Sequence, residues 1–490
     1  MEDSRTGLKP PLHNSSSPRD KEPDDMEKLL KWQEDRLARK LRGEYESAVL
    51  HLSEVITSNM SSQMNIAAVR VEGAKITRSS FLGFLINPHL AASTSNGTPS
   101  TLESVLHTTR KIAHALKKTD MFHSVEAKLE RARDELANEG DVDIVFKTRE
   151  KGRFYLNTST ELGNNEGNAA ATGRIRNVFG GAEVFEANVS FGTKTRRSFR
   201  ASLTAPVTPD LATHAELTAY GLERDNSSFA SSTEGLRGVK AVVRSGTPDR
   251  GAHEVIYEAV LRHIGALTPT ASISMRESAG QTIKSSVSHS YIVDTRDDRI
   301  TAASGHYAKI FNEYAGLGGD ASFFKTEIEG QVSRPVYDGI SLSFAARTGL
   351  LWGISRPTLF SDRFQLGGPT SIRAFKANSM GPRDGSDSLG GDLHWSAGVS
   401  VISNIPRKPH WPVKTHLWVN AGRLDVIDQR QTLADNIRNT LTRPSISAGV
   451  GVIYRFDPVR VEVNFGVPLV ASKSDGTRRG LQVGMGLEFL

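Results

Sequence analysis

A strict two-residue alternation near the C-terminus limits most strongly what this chain can fold into. Residues 459–467 read Val-Arg-Val-Glu-Val-Asn-Phe-Gly-Val, with five apolar residues on one face and four polar or small residues on the other. Successive side chains of a β-strand point to opposite faces, so this run is predicted to be a strand. Its two faces are a core face and a wet face in a soluble sheet, or a lipid face and a lumen face in a transmembrane barrel.

Similar alternating runs recur from Gly152 to the C-terminus. The predicted strands are 153–162, 168–177, 181–193, 196–206, 213–223, 235–245, 252–265, 283–295, 304–316, 321–334, 338–351, 390–403, 414–423, 444–456, 458–467 and 480–490. The count of about sixteen is even, as transmembrane barrels generally require. Many of these runs are long enough to cross a bilayer when tilted, and most of the turns between them are short.

Hydropathy distinguishes the two structures with which a chain can cross a membrane, the α-helix and the β-barrel. No run of eighteen apolar residues occurs in the 490 residues, so transmembrane helices are excluded. A barrel exposes only alternate residues to lipid, and its average hydropathy therefore stays low. We predict an all-β transmembrane barrel of about 16 antiparallel strands, preceded by one small α/β module.

The region before the barrel divides into two parts. Residues 1–55 are predicted to be a disordered or linker region, with a mostly polar helix within 26–55. Residues 60–151 follow the order β-α-α-β-β, and the second helix is expected to start at Ser100 with Glu103 in a capping box. Residues 152–490 form the barrel. The module is either a plain packing domain or one whose sheet edge accepts a peptide strand.

Composition and motifs exclude several classes of function. Cysteine is absent, which rules out a disulfide framework, a thiol nucleophile and a cysteine metal site. The sequence contains no P-loop, no G-x-S-x-G, no H-E-x-x-H and no dinucleotide fingerprint. We therefore expect no enzyme activity, no cofactor and no metal site. The formal charge of +6 is small and dispersed, so nucleic acid is not an expected partner.

The N-terminus suggests the route to the membrane. It begins Met1-Glu2-Asp3, with no basic region, no hydrophobic core and several acids in residues 1–40. These features fit neither a secretory signal peptide nor an amphipathic mitochondrial presequence. A barrel of this kind is expected in an organelle that is reached from the cytosol.

The longest gap between predicted strands, from Leu351 to Leu389, contains an unusual loop sequence. Gly367, Gly368 and Pro369 form a backbone reversal, because glycine accepts positive φ and proline fixes its own. Arg373 follows, between the apolar residues Ile372 and Phe375. Either this is an exposed turn with a solvated arginine, or the guanidinium finds acidic or carbonyl partners in an enclosed polar space.

This loop resembles the signature Val/Ile-Arg-Gly-Phe/Tyr of the outer-membrane barrel-assembly and two-partner-secretion superfamily. Here the residues are Ile372, Arg373, Ala374 and Phe375. The stretches 362–371, 390–395 and 419–422 resemble the mitochondrial branch of that superfamily, whose single α/β module is called a POTRA domain. Ala374 replaces the usual glycine.

The resemblance also raises the question of what Arg373 binds. In bacterial relatives the loop arginine pairs with acids on the barrel wall. The matching position here is the uncharged Asn420. Glu462 and Glu488 are inward by alternation and are possible partners.

The last predicted strand carries a second family feature. Its pattern of a polar residue, glycine and two hydrophobic residues, formed by Gln482, Gly484, Leu487 and Phe489, resembles the mitochondrial β-signal. The first strand contains few apolar residues, chiefly Phe154 and Leu156, so its packing on the lipid side should be weak. These two strands are expected to form a lateral gate.

The resemblance implies an insertase that folds β-barrel precursors into the mitochondrial outer membrane, with the POTRA module in the intermembrane space. Expected partners are unfolded barrel precursors such as porin and the translocase barrel, companion subunits of the sorting and assembly complex, and the lipid bilayer. A polypeptide export pore and a passive porin-like channel remain alternatives.

Overall fold

The computed structural model describes residues 26–41, 56–94, 100–134, 137–138, 140–163, 166–405, 407–408, 411–456 and 459–486. The chain divides into two compact units, with boundaries at Lys75/Ile76, Phe81/Leu82 and Glu150/Lys151. Helix α1 spans Met26–Leu41, within the stretch where a polar helix is expected. No helix in the described part of the chain has the length and apolar character needed to cross a membrane.

The first unit contains a small three-stranded sheet with helices. Its elements are β1 (Asn65–Glu72), α2 (Ser79–Thr94), α3 (Leu102–Lys118), β2 (Phe122–Arg131) and β3 (Asp141–Glu150). The strand order is β1-β3-β2, in which β1 and β3 run parallel and β2 and β3 run antiparallel. The buried core is apolar and includes Leu85, Val105, Ile112, Leu116, Ile144 and Phe146.

Helix α3 begins one residue later than the sequence predicts. The N-cap is Thr101, whose side chain accepts a hydrogen bond from the Ser104 backbone, while the Ser104 hydroxyl satisfies the Thr101 N–H. The predicted capping box of Ser100 and Glu103 is wrong by one residue. A serine at the third helical position closes the box as well as glutamate would, because its hydroxyl reaches the same backbone donor.

The second unit is built around one sheet of sixteen antiparallel strands. Its strands are β4 Phe154–Gly163, β5 Glu166–Arg176, β6 Val184–Gly192, β7 Thr195–Pro206, β8 Thr213–Asp225, β9 Thr233–Thr247, β10 Gly251–Gly265, β11 Gly280–Asp294, β12 Gly305–Gly319, β13 Phe323–Tyr337, β14 Ile340–Gly353, β17 Leu393–Asn404, β18 Val413–Asp425, β19 Ser445–Phe456, β20 Val459–Val470 and β21 Gly480–Gly486. Cα atoms of β4 and β21 come within 8 Å of each other, so the sheet curls into a barrel. The predicted strand count is confirmed.

Alternation sorts the side chains of each strand between the two barrel faces. On β20, Val463 and Phe465 are 40% and 57% exposed, whereas Glu462 and Asn464 are fully buried. Apolar residues on the outside and polar residues on the inside are the arrangement of a barrel in lipid. The all-β transmembrane fold predicted from the same alternation is confirmed.

One long insertion, residues 354–392, joins β14 to β17, the eleventh and twelfth barrel strands. It contains a 3-10 turn at Phe360–Asp362 and two short strands, β15 (Arg383–Asp384) and β16 (Asp387–Ser388). We call this insertion the lumen loop. Because neighbouring strands alternate in direction, helices α4 (Ser227–Ala230), α5 (Ile273–Glu277) and α6 (Leu433–Thr442) lie in loops at the same barrel end.

Candidate functional site

Arg373, at the tip of the lumen loop, is completely buried and is held by the barrel wall. Its Nε donates to Glu462 Oε2 at 2.9 Å and its Nη2 donates to Glu462 Oε1 at 3.2 Å. Its Nη1 donates to Asn420 Oδ1 at 3.1 Å. This bidentate geometry suits a guanidinium and a carboxylate particularly well. The solvated-turn alternative is therefore wrong, and of the two candidate acids Glu462 is the partner; Glu488 lies outside the described residues.

The Glu462 carboxylate serves a second arginine as well. Arg460, two residues earlier on β20, forms an ion pair with Glu462 Oε1. Asn464 Nδ2 donates to Glu462 Oε2 at 2.8 Å, and Asn464 in turn contacts His416 at 2.7 Å. One buried acid thus lies between two buried guanidinium groups. We call Arg373, Arg460 and Glu462 the tip clasp.

The backbone of the loop tip is bound to the last barrel strand. The Ala374 N–H donates to Gln482 Oε1 at 3.0 Å, and Gln482 Nε2 donates to the Phe375 carbonyl at 3.0 Å. A hydroxyl on β19 adds a third tie, because Ser447 Oγ donates to the Arg373 carbonyl at 2.6 Å. Sequence reasoning assigned the loop and Gln482 to separate motifs, and the structure brings them together.

Replacing Gln482 with leucine should loosen the loop tip. A leucine of similar volume leaves the Ala374 N–H and the Phe375 carbonyl buried without these partners, at a cost of about 2 kcal/mol in the free energy of unfolding. The measurement is denaturant unfolding of the purified barrel, together with the rate of tryptic cleavage at the exposed Lys376. Gln281→Leu is the control, because Gln281 is exposed on β11. Equal effects of the two substitutions would show that Gln482 does not hold the loop.

The beginning of the loop is fixed by a second buried ion pair. Asp362 Oδ1 accepts from Arg262 Nη1 on β10 at 2.5 Å, and both side chains are only 4% exposed. Lys325 Nζ on β13 donates to the Asp362 carbonyl at 3.3 Å and lies 4.4 Å from the centre of the Phe364 ring. We call Arg262 and Asp362 the base clasp. Buried ion pairs therefore hold the loop at two points, to β10 near its start and to β20 at its tip.

The glycine-proline reversal lies between these two clasps. Gly367 and Gly368 have φ of 104° and 119°, and a Cβ on Gly367 would lie 2.8 Å from the Lys376 carbonyl oxygen. Pro369 is buried beside them. The reversal folds the loop onto an apolar cluster that includes Leu351, Phe364, Leu366, Ile372, Phe375, Met380 and Leu424.

Ala374 adopts a backbone conformation that usually selects glycine, with φ of 65°. An alanine in this left-handed region carries a strain of roughly 1–2 kcal/mol. Its methyl group fits because the opposing wall residue is Gly466, where an added Cβ would lie 3.3 Å from the Ala374 Cβ. Alanine is thus accommodated at this position because the facing wall residue carries no side chain.

Several inward-facing glycines make room for the loop. An added Cβ would lie 2.4 Å from Ile372 Cδ1 at Gly422, 2.5 Å from the Trp418 ring at Gly449 and 2.7 Å from the same ring at Gly466. The missing side chains at these three positions leave the space that Trp418 and the loop tip fill. The sequence shows the glycines, but not which side chains fill the space.

The outer hairpin of the lumen loop is attached to the neighbouring loop that contains α5. Ser272 N–H donates to Asp387 at 2.8 Å, and Ser274 donates to Asp384 from its N–H at 3.1 Å and its hydroxyl at 2.8 Å. These hydrogen bonds, chiefly from the Ser274 N–H, lower the pKa of the Asp384 carboxyl. The hairpin is thus fixed to a loop at the same barrel end.

A loop from the opposite barrel end also reaches the tip clasp. Residues 295–304 join β11 to β12, and within them Asp298 pairs with Arg455 at 2.6 Å. The Ile300 carbonyl accepts from Arg460 at 3.2 Å. Arg460 therefore links the tip clasp to this opposite loop, a connection that no local sequence pattern indicates.

The predicted gate residues lie on the two strands that end the sheet. Phe154 and Leu156 on β4 are each 77% exposed, and Gly484 on β21 is buried. Leu487 and Phe489 lie outside the described residues. Every other pair of neighbouring barrel strands forms a hydrogen-bonded ladder, whereas β4 and β21 form none among the residues that the structure describes. We call this unpaired boundary the seam.

The described residues include no group of three or more His, Asp or Glu side chains positioned to hold a metal ion. The contacts that the structure shows at the site are buried ion pairs and hydrogen bonds to the loop backbone. A sixteen-stranded barrel whose long loop is clasped inside it defines a class of outer-membrane proteins.

Comparisons with known proteins identify the family within this class. Residues 177–489 match the Omp85 superfamily domain. The chain is 33% identical over 452 residues to a SAM50-like protein of Schizosaccharomyces pombe, covering 91% of this chain and 95% of that relative. It is 31% identical over 399 residues to the sorting and assembly machinery component 50 homolog of Homo sapiens, covering 79% of this chain and 84% of that relative.

A solved structure supports the fold. BamA from Haemophilus ducreyi lacking POTRA domains 1–3 matches with a TM-score of 0.72 at 15% identity, covering 86% of this chain and 84% of that one. The chain belongs to the Omp85 superfamily, and within it to the family of sorting and assembly machinery component 50 proteins. The family resemblance drawn from the loop motif and from residues 362–371, 390–395 and 419–422 is confirmed.

Proposed function

We propose that this protein folds β-barrel precursors and inserts them into the mitochondrial outer membrane through the seam between β4 and β21. The family assignment supports the assembly role and the location. The observation that carries the gate is the seam itself, because it is the one junction of the described sheet without ladder hydrogen bonds. The small module is the POTRA domain, which we assign to residues 60–151 and to the intermembrane space.

The physical basis of the gate is the cost of unpaired backbone groups. Each polar backbone group left unsatisfied in lipid costs several kcal/mol, so an isolated precursor strand cannot enter the bilayer core. The free edge of β4 offers N–H and C=O groups to the C-terminal strand of a precursor, which then enters already paired. Weak lateral packing of Phe154 and Leu156 lowers the resistance to opening.

Gln482 connects the lumen loop to the opening of the seam. This residue lies on the gate strand β21 and binds the backbone of Ala374 and Phe375. Movement of β21 therefore changes the support of the loop tip. Gly367, Gly368, Pro369 and Ile372 shape the loop that Arg373 holds, and we propose that the loop contacts the precursor.

A passive porin-like channel fits these observations less well. The lumen loop occupies part of the interior and is fixed by two buried ion pairs, which an open diffusion channel does not require. Insertion by strand pairing breaks and forms only hydrogen bonds and therefore needs no catalytic group. We accordingly assign an assembly factor rather than an enzyme. Precursors, companion subunits of the sorting and assembly complex and the bilayer are the proposed partners.

Locking the seam tests the gate. The chain has no native cysteine, so one cysteine introduced within residues 154–160 and one within 480–486 are the only thiols that can form a disulfide across the seam. We expect oxidation to abolish assembly of a radiolabelled porin precursor in isolated mitochondria, and reductant to restore it. A disulfide between positions 310 and 328, which are paired across β12 and β13, is the control.

Two outcomes separate the gate from the assembly role. If the locked seam assembles porin at the normal rate, the gate is wrong while the assembly role stands. If depletion of the protein leaves porin assembly unchanged, the assembly role itself is wrong. A precursor with a C-terminal cysteine should also crosslink to β4 or β21 when the gate is used.

A further inference from the structure

Helix α6, in the loop between β18 and β19, exposes an apolar stripe. Leu433, Ile437 and Leu441 recur every four residues and are 37%, 38% and 53% exposed. Residues at this spacing lie on one face of a helix. An apolar stripe on a loop helix is unfavourable in water, which points to a non-aqueous environment on this side.

The buried side of α6 is polar. Asn436 Nδ2 donates to the Asp428 and Thr432 carbonyls, each at 3.0 Å. Thr440 Oγ1 donates to Asp425 Oδ2 at 3.0 Å. The helix is therefore attached by its polar residues, and burial of its apolar face within this chain does not explain its position.

Hydrogen bonds fix α6 against the outer surface of the barrel. Trp395 Nε1 donates to the Thr440 carbonyl at 3.0 Å, and Arg423 Nη1 donates to the Arg443 carbonyl at 3.0 Å. By alternation, Trp395 shares the outward face of β17 with the exposed Val399, and Arg423 shares that of β18 with the exposed Val419. The exposed stripe is thus next to the lipid-facing wall.

The helical arrangement separates four directions around α6. At about 100° per residue, the apolar stripe is centred roughly 80° from the buried Asn436 and Thr440. Asp435 and Asn439 lie on the side opposite the stripe, and Arg438 points away from the barrel. This distribution suits a helix that lies beside a barrel at a membrane surface. Asn436 and Thr440 face the barrel wall, the stripe faces acyl chains, Asp435 and Asn439 face water, and Arg438 faces the headgroups.

Aromatic residues place the membrane boundary at this end of the barrel. Tyr314 pairs with Phe324, and Phe324 pairs with Trp352, near the ends of β12, β13 and β14. All three side chains are exposed on the outward face. Aromatic girdles mark the interface between hydrocarbon and headgroups in membrane barrels.

We propose that α6 lies in the membrane interface, with Leu433, Ile437 and Leu441 on the acyl chains and Arg438 among the phosphate headgroups. Amphipathic helices bind lipid surfaces in this way, through buried apolar area and basic residues. The continuity of the stripe with the lipid-facing wall is the argument for lipid rather than for a partner protein. The helix then anchors the rim of β17 and β18 next to the lumen loop.

Spin labels test this proposal on the full chain. The absence of native cysteine allows single nitroxides at Ile437→Cys on the stripe, Asn439→Cys on the opposite side and Val419→Cys on the wall. The barrel is reconstituted into vesicles of phosphatidylcholine and phosphatidylethanolamine. Relaxation by oxygen, which concentrates in lipid, is compared with relaxation by a water-soluble nickel chelate.

We expect the ratio of oxygen to nickel relaxation at position 437 to be several times that at 439 and to approach the value at 419. Equal nickel accessibility at 437 and 439 would overturn the proposal, since the stripe would then be in water. A label at 437 that is open to nickel in vesicles and shielded only in the complete assembly would also overturn it, in favour of a companion protein. A gel-mobility check of folding accompanies each variant.

Discussion

Replacing Glu462 with glutamine is expected to lower the free energy of unfolding of the barrel by about 3–5 kcal/mol, the usual cost of removing one partner from a buried ion pair. Glu462 is the acid between Arg373 and Arg460, and all three residues are buried. Glutamine keeps the shape but removes the negative charge, so two guanidinium groups face each other without it. Denaturant unfolding in vesicles measures the loss.

Glu223→Gln is the matched control for this substitution. Glu223 pairs with Arg197 at 2.7 Å on the barrel, but the arginine side chain is 72% exposed. Exposed ion pairs contribute only about 0–1 kcal/mol. If Glu462→Gln costs no more than Glu223→Gln, the charge of Glu462 does not hold the lumen loop.

A triple variant separates stability from function. Replacing Arg373, Arg460 and Glu462 together with apolar residues of similar volume is expected to recover much of the lost stability, because buried ion pairs are often no better than good apolar packing. If porin assembly then remains defective while the barrel is stable, the clasp acts in assembly. If assembly recovers with stability, the clasp is a support of the fold.

The sequence predicted those features that depend on local pattern. Alternation with a period of two decides the face of every strand residue, so it indicated the barrel and made Glu462 a candidate partner of Arg373. The length of the gap between the eleventh and twelfth strands identified the lumen loop. The alternation of each strand and the length of the gap can both be read from residues that are close in sequence.

The features that escaped prediction join residues that are far apart in the chain. Arg262 and Asp362 are 100 residues apart, and Gln482 is 108 residues from Ala374. Which inward residues meet across a barrel depends on strand tilt and stagger, and an error of one residue in register changes every contact. The position of α6 was missed for the same reason, since Trp395 and Arg423 fix it from separate strands.

Substituting Asp362 with asparagine is expected to cost about 3 kcal/mol, because it leaves Arg262 buried without its carboxylate. The combination of Asp362→Asn with Glu462→Gln should cost less than the sum of the two single effects. The base clasp and the tip clasp hold one continuous loop, so releasing either end already weakens the contacts that the other end maintains. Contacts that belong to one mechanical unit typically couple by about 0.5–3 kcal/mol.

A double-mutant cycle in denaturant unfolding measures this coupling. The control cycle combines Asp362→Asn with Glu223→Gln, which should be additive within about 0.5 kcal/mol because the two sites share no partner. Additive costs for Asp362 and Glu462 would show that the two clasps support separate parts of the loop. Coupled costs would show that the loop behaves as a rigid strut between β10 and β20, so that a change at the seam reaches the opposite wall through Gln482 and the loop tip.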